Sequence, residues 1–358
     1  MKTRKKIVYV FLLCCIALIS CNKETNISLP TIDNVTFQEG YGDITFMWNF
    51  PENKNIDHVR VDFMDNDEKK YYTFSRFTKE AIVSGLKSKE YQFIIRTADK
   101  SGNLSEPIQI KATPQNPVYV VVGETINAKP IIGGIAVSWK NDTGKEVQIN
   151  VEYVNNESIR QIFTVVSADR EGSAVVANVP FEKQEISMYA SNPSNYKQTS
   201  TIKTVAVKPY QEIRFEDKNK WVVVEADSDD GSHFPSLLFD DDLSTFWQTN
   251  WRAGHKFPHH VTFDMGSERV VSALGFYNRD HNNANNAMKD FTIEGSLDGE
   301  NWITYGSFDD FPTTRREEIK YALAQTPTVR YIRITGLTAR NNVIYLALAE
   351  IYVYGAFL

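Results

Sequence analysis

From residue 29 onward, hydrophobic and polar positions alternate in short runs, and the runs are separated by Gly, Asn, Asp and Pro. Asp43-Ile44-Thr45-Phe46-Met47-Trp48 alternates residue by residue, as does Val59-Arg60-Val61-Asp62-Phe63. Tyr91-Gln92-Phe93-Ile94-Ile95-Arg96 is a third such run. Side chains of a strand point to opposite faces in turn, so this alternation marks strands with one buried face. Gly134-Ile135-Ala136-Val137-Ser138-Trp139 repeats the 43–48 pattern, and Gln148 to Val154 gives the alternating run that follows it. Val329 to Ile334 and Ala349 to Gly355 add two more near the C-terminus. No sustained 3.6-residue periodicity appears. The pattern predicts an all-β chain of several sandwiches in series.

The first twenty residues differ from everything after them. Lys2, Arg4, Lys5 and Lys6 precede thirteen apolar residues, Ile7 to Ile19. A run of that length suits the core of a signal peptide and is short for a membrane span. It ends in Leu18-Ile19-Ser20-Cys21, which resembles the bacterial lipobox. The resemblance implies cleavage after residue 20 and diacylglyceryl attachment to Cys21, with two or three acyl chains giving a stable anchor. Residues 21–28 then read as a polar tether. A plain secretory signal with a chance cysteine is the alternative.

Composition adds limits. All three cysteines, Cys14, Cys15 and Cys21, lie in the first 21 residues, so the body has no disulfide, thiol nucleophile or thiolate metal site. Removing the four basic residues of the leader takes the formal charge from −6 to −10. An acidic body without a Lys/Arg cluster disfavours nucleic acid as a partner. No later apolar run approaches a transmembrane length; Val118 to Val122 is typical of the longest.

Residues 29–113 resemble a fibronectin type III domain. Trp48 stands where that family buries a tryptophan, and Leu86 and Tyr91 match its leucine and its tyrosine corner. Pro114 and Pro117 mark a linker. Residues 114–209 read as a second, immunoglobulin-like sandwich. Neither sandwich shows a catalytic constellation.

Residues 210–358 resemble the discoidin domain, or coagulation factor V/VIII type C domain, through four motifs in the family's order. These are Phe239-Asp240-Asp241-Asp242-Leu243-Ser244-Thr245-Phe246-Trp247, His260-Val261-Thr262-Phe263-Asp264-Met265-Gly266, Ser296-Leu297-Asp298-Gly299-Glu300-Asn301-Trp302 and Ala349-Glu350-Ile351-Tyr352-Val353-Tyr354-Gly355. The fold expected overall is therefore tandem β-sandwiches, two immunoglobulin/fibronectin-like, followed by a discoidin-type jelly-roll.

The resemblance implies a structural Ca2+ held by Asp240, Asp242, Thr245 and Glu350, pinning the acidic loop to the last strand. Hard oxygen donors in an irregular loop suit calcium rather than zinc. Asp241 replaces the family's Gly, and a solvated acidic turn in which Asp240 caps local amides remains the alternative. Trp247 and Trp302 are expected in the core, and His260 in a structural role.

Bacterial members of the group are galactose-binding-like carbohydrate modules. Sugar recognition needs aromatic faces for C–H surfaces and fixed polar groups for hydroxyls. The loops supply both, with Trp251 and His255 on one, Arg279, Asn283 and Asn286 on a second, and Asn342 and Tyr345 on a third. The order of lipobox, spacer sandwiches and distal binding domain resembles glycan-binding lipoproteins of Bacteroidota polysaccharide-utilisation systems. It implies a non-catalytic, lipid-anchored protein exposed on the outer membrane, with a glycan ligand and an outer-membrane transporter complex as partner. Two alternatives stay open: an adhesin or assembly protein whose discoidin domain binds protein or lipid, and a glycoside hydrolase or other enzyme with an accessory binding domain. The latter would need two placed carboxylates in a cleft, and the three sandwiches leave too few residues for a catalytic domain.

Overall fold

The computed structural model describes residues 29–252, 254–280, 288–340 and 343–358. The chain divides into two compact units, one ending at Pro117 and the other beginning at Val118. The regular structure of the described residues is almost all strand, with one α-helix and two short 3-10 turns.

The first unit comprises β1 (Asp33–Gly40), β2 (Asp43–Asn49), β3 (His58–Asp65), β4 (Glu68–Ser75), β5 (Glu80–Ser84), β6 (Tyr91–Ala98) and β7 (Ile108–Ala112). They form two antiparallel sheets, β1-β2-β5 and β4-β3-β6-β7. The alternation along the sequence becomes the sandwich interior: Ile44, Phe46 and Trp48 of β2 are buried against Val59, Val61 and Phe63 of β3 and Phe93 and Ile95 of β6. The Tyr91 hydroxyl accepts the Lys87 amide at 3.0 Å and donates to Asp65 at 3.2 Å, so it fastens the loop before β6. The segment holding Pro114 and Pro117 is fastened too. The Gln115 amide donates to the Gly40 carbonyl, and its carbonyl accepts the Gly42 amide.

The second unit begins with α1 (Val118–Thr125), followed by β8 (Asn127–Ile131), β9 (Gly134–Lys140), β10 (Val147–Val154), β11 (Arg160–Ser167), β12 (Glu171–Ala177), β13 (Gln184–Asn192), β14 (Asn195–Thr199) and β15 (Lys203–Val207). Its sheets are β12-β9-β8 and β11-β10-β13-β14, with β15 also on β13. Fastenings repeat along with the strands. Ser105 accepts the Thr97 amide and donates to the Glu106 carbonyl in the first sandwich; Ser200 does the same with Ala190 and Thr201 in the second. Tyr210 brackets the β8–β9 turn as Gln115 brackets β1–β2. The hydrophobic pattern does not predict the helix α1. Its Val-rich sequence has poor helix propensity, but burial of Val122 in the sandwich core outweighs that preference. Gly123 sits against Ser200 so closely that any Cβ would overlap it.

The C-terminal part contains β16 (Ile213–Arg214), β17 (Val222–Ala226), β18 (Trp247–Gln248), β19 (His259–Asn278), β20 (Phe291–Ser296), β21 (Ile303–Phe308), β22 (Ile319–Ala322), β23 (Thr328–Gly336) and β24 (Ala347–Phe357). The long strand β19 serves both layers. Its first half pairs with β17 and β23, its second half with β22 and β24, and the register shifts between Asp264 and Arg269. Gly266 at φ +80° lies in that crossing, where a left-handed residue is required. Buried Arg269 spans the crossing with a bidentate pair to Asp217 at 2.7 and 2.8 Å and a bond to the Met265 carbonyl. Trp221, Phe239, Trp247, Phe263, Phe276 and Phe291 fill the core between the layers. Trp302 does not join them. It lies half-buried beneath the Arg333 guanidinium, 4.2 Å from its ring, because it follows the tight 296–301 turn at the sheet edge.

Candidate functional site

The loops after β17, around β18 and after β19 meet at one end of the C-terminal sandwich. In β18 the alternation puts Trp247 in the core, with its indole N–H on the Ser228 carbonyl at 3.0 Å. Phe246 therefore faces the other way and stays half-buried. His233 stacks on its ring at 4.0 Å between centroids and 18° between planes. The Arg279 guanidinium lies 3.8 Å from the same centroid. Two groups that close must occupy opposite faces, so Phe246 separates an imidazole from a guanidinium.

Polar contacts fix both groups. Asp230 closes a tight turn by accepting the Ser232 and His233 amides at 2.9 Å each. Its other oxygen accepts His233 Nδ1 at 2.8 Å and Gln248 Nε2 at 3.0 Å. The imidazole therefore carries a proton on Nδ1. With its nitrogen committed to Asp230, the Gln248 amide presents its oxygen to Arg279 Nη1 at 3.0 Å. Burial pushes the Asp230 carboxyl up, but the His233 hydrogen bond and the two amides outweigh it and hold the group below its ordinary range. Burial pulls the Arg279 guanidinium below its usual value, opposed by nearby Tyr345 and Asp230.

The flanking loops are also tied down. Trp251 is 45% exposed, with the Arg252 guanidinium 4.7 Å over its ring. The Asn250 amide donates to Ser228, and the Asn250 side chain accepts the Arg252 amide. The segment carrying half-buried Tyr345 is held by Thr249, whose amide donates to the Leu346 carbonyl and whose hydroxyl accepts the Leu346 amide. The chain after β19 is anchored by Asn278, which donates to the Pro312 and Thr314 carbonyls. Asp280 pairs there with Arg315 and Arg316.

Of the ligand residues expected from the sequence, Arg279 belongs to this cluster, Tyr345 borders it, and Trp251 lies three residues beyond Gln248 on an exposed loop. His255 is exposed farther along that loop. Asn283, Asn286, Asn342 and the lipidation residue Cys21 lie outside the described residues. Phe246, Gln248 and Asp230 were not singled out. The signal for Phe246 was the alternation beside Trp247, which sends one of two adjacent aromatics outward.

The residues expected around calcium have partners within the protein. Asp240 accepts the Thr245 hydroxyl at 2.9 Å and the Asp242 amide at 3.0 Å. Asp242 accepts the amide and hydroxyl of Ser244. Glu350, fully buried in β24, faces the Lys218 ammonium at 2.8 Å instead. Burial raises the Glu350 carboxyl to about 7, opposed by Lys218 and reinforced by Asp240 and Asp241. Among the described residues no group of three or more His, Cys, Asp or Glu side chains is placed to hold a metal. Within the acidic turn, Asp240 and Asp242 bond to the turn's own amides and hydroxyls.

Known proteins are similar to parts of this chain. A sialidase of Micromonospora viridifaciens is 27% identical over 177 residues, which are 46% of this chain and 26% of that protein. A galactose oxidase of Gibberella zeae is 31% identical over 144 residues, 39% of this chain and 20% of that protein. The chain thus spans about a quarter or less of these curated relatives. Among solved structures, a SusE-like protein matches with a TM-score of 0.52 at 18% identity, covering 67% of this chain and 99% of that one. That likeness extends the shared fold beyond the C-terminal region to a series of sandwiches. The chain carries an F5/8 type C domain, whose family model matches residues 223–351.

Proposed function

We propose that this protein is a non-catalytic glycan-binding lipoprotein of the cell surface, and that its F5/8 type C domain captures poly- or oligosaccharide at the Arg279 cluster. The observation that carries the reading is the stack of His233, Phe246 and Arg279, locked by Asp230 and Gln248 beside exposed Trp251. Two polar groups of fixed orientation flank an aromatic ring, and a planar guanidinium offers several donors to neighbouring hydroxyls. Such preorganisation lowers the ordering cost of binding a polar ligand. The lipobox-like sequence ending in Cys21 supports an outer-membrane lipid anchor, with an outer-membrane transporter as the partner that receives the glycan. Individually modest contacts would then be reinforced by many sites on one polymer.

Affinity electrophoresis of the protein through gels containing a panel of polysaccharides tests the reading. Retardation by at least one glycan is the expected result, and unchanged mobility across the panel would reject it. Cys21→Ala tests the anchor separately: the protein should move from the membrane to a soluble fraction.

A further inference from the structure

The acidic turn at 240–245 and the last strand meet around a cation that belongs to the chain itself. Lys218 lies in the 3-10 turn that follows Asp217, and its side chain is 1% exposed. Its Nζ is 2.8 Å from Asp241 Oδ1 and 2.8 Å from Glu350 Oε2. The same nitrogen lies 3.8 Å from the centroid of the Tyr352 ring. These are ion-pair and cation–π contacts, without the alignment of hydrogen bonds. A fully buried carboxylate such as Glu350 requires a compensating charge, and the ammonium supplies it.

Asp241 explains itself in this setting. Its φ of +63° is the left-handed conformation that favours glycine, the residue the resembling motif carries there. The turn keeps its shape, and the side chain added at that position reaches Lys218 and accepts the Tyr352 hydroxyl at 3.2 Å. Three elements, the 3-10 turn, the acidic turn and β24, are thereby joined through one nitrogen. Asp240, Asp242 and Thr245 meanwhile bond within their own turn. A divalent ion beside Glu350 would face a positive charge about 4 Å away or less in a poorly screened interior.

We propose that Lys218 is the resident cation of this site, so that the acidic turn is held to β24 without a divalent metal and the domain keeps its fold and its ligand in the presence of a chelator. The retention of ligand rests on the glycan-binding reading, whereas the fold is measured independently of it.

Scanning calorimetry of the full chain in excess EDTA and in excess calcium, with elemental analysis after dialysis, tests the proposal. The expected result is one set of midpoints in both solutions and no stoichiometric metal. Lys218→Met should lower the midpoint of the C-terminal domain by roughly 10 °C, and Lys218→Arg, which keeps the charge, by less. Stoichiometric calcium in the dialysed protein, a midpoint that falls on chelation, or a Lys218→Met midpoint equal to the wild type would each overturn it. If Lys218→Met does not fold, the comparison of the wild type with and without chelator still decides.

Discussion

The His259 imidazole and the Asp227 carboxylate are 2.6 Å apart, and the ring's other nitrogen lies 2.7 Å from the Ile344 carbonyl. Both neighbours are acceptors, so both ring nitrogens carry protons and the buried ring is an imidazolium. Burial pulls the His259 pKa down, but Asp227 and the Ile344 carbonyl outweigh it and leave it raised. Burial likewise pushes Asp227 up, and His259 with the His260 amide brings it below its ordinary value. The pair therefore stabilises the domain when both are charged. Its contribution is complete below the unfolded histidine pKa and is lost as pH rises through the raised folded value. On the acid side it is complete above the unfolded aspartate pKa and is lost as pH falls through the lowered one. Thermal midpoints measured against pH should peak between these limits. His259→Ala should cost about 3 kcal/mol near neutrality and flatten the alkaline limb.

Charge alone does not describe Arg279. Its planar guanidinium lies on Phe246 while one nitrogen bonds to Gln248. Arg279→Lys keeps the charge and loses the stack and the fork geometry. Glycan affinity measured by calorimetry should fall by about tenfold, with the thermal midpoint little changed.

Gly172 faces Trp139 across the β9–β12 pair, and a Cβ at that position would overlap the indole. Gly172→Ala should destabilise the middle sandwich by about 1–3 kcal/mol, read as a lower denaturant midpoint for its transition. Glycan retention by the C-terminal domain should be unaffected.

Tyr91 holds its loop through a hydroxyl that both accepts and donates. Tyr91→Phe leaves the Lys87 amide and one Asp65 oxygen without that partner, and should cost about 1–3 kcal/mol. Chemical denaturation followed in the first unit checks it, since Trp48 lies in that core.

The strands were legible because alternation and burial coincide. Ile44, Phe46 and Trp48 point inward on β2, and β3, β6, β9 and β10 begin and end close to the runs that announced them. Helix α1 was not legible: a valine-rich octet reads as strand until the surrounding core is known. Within the site, Arg279 could be picked out by type and by motif. The roles of Asp230, Gln248 and Phe246 could not, because their meeting depends on how β18 pairs with β24 and brings three loops together. Lys218 carried no signal either. Nothing local marks a lysine as buried until Glu350 and Asp241, more than a hundred residues from each other, are placed beside it.

The central claim is that the stack around Phe246 binds glycan. It is tested most directly by calorimetric titration of one retained glycan into the wild-type chain and into Arg279→Ala, with the thermal midpoint of each measured in parallel. We expect the substitution to weaken binding by about a hundredfold while the midpoint stays close to the wild-type value. Equal affinity in the two proteins would contradict the claim and place the binding surface elsewhere on the chain.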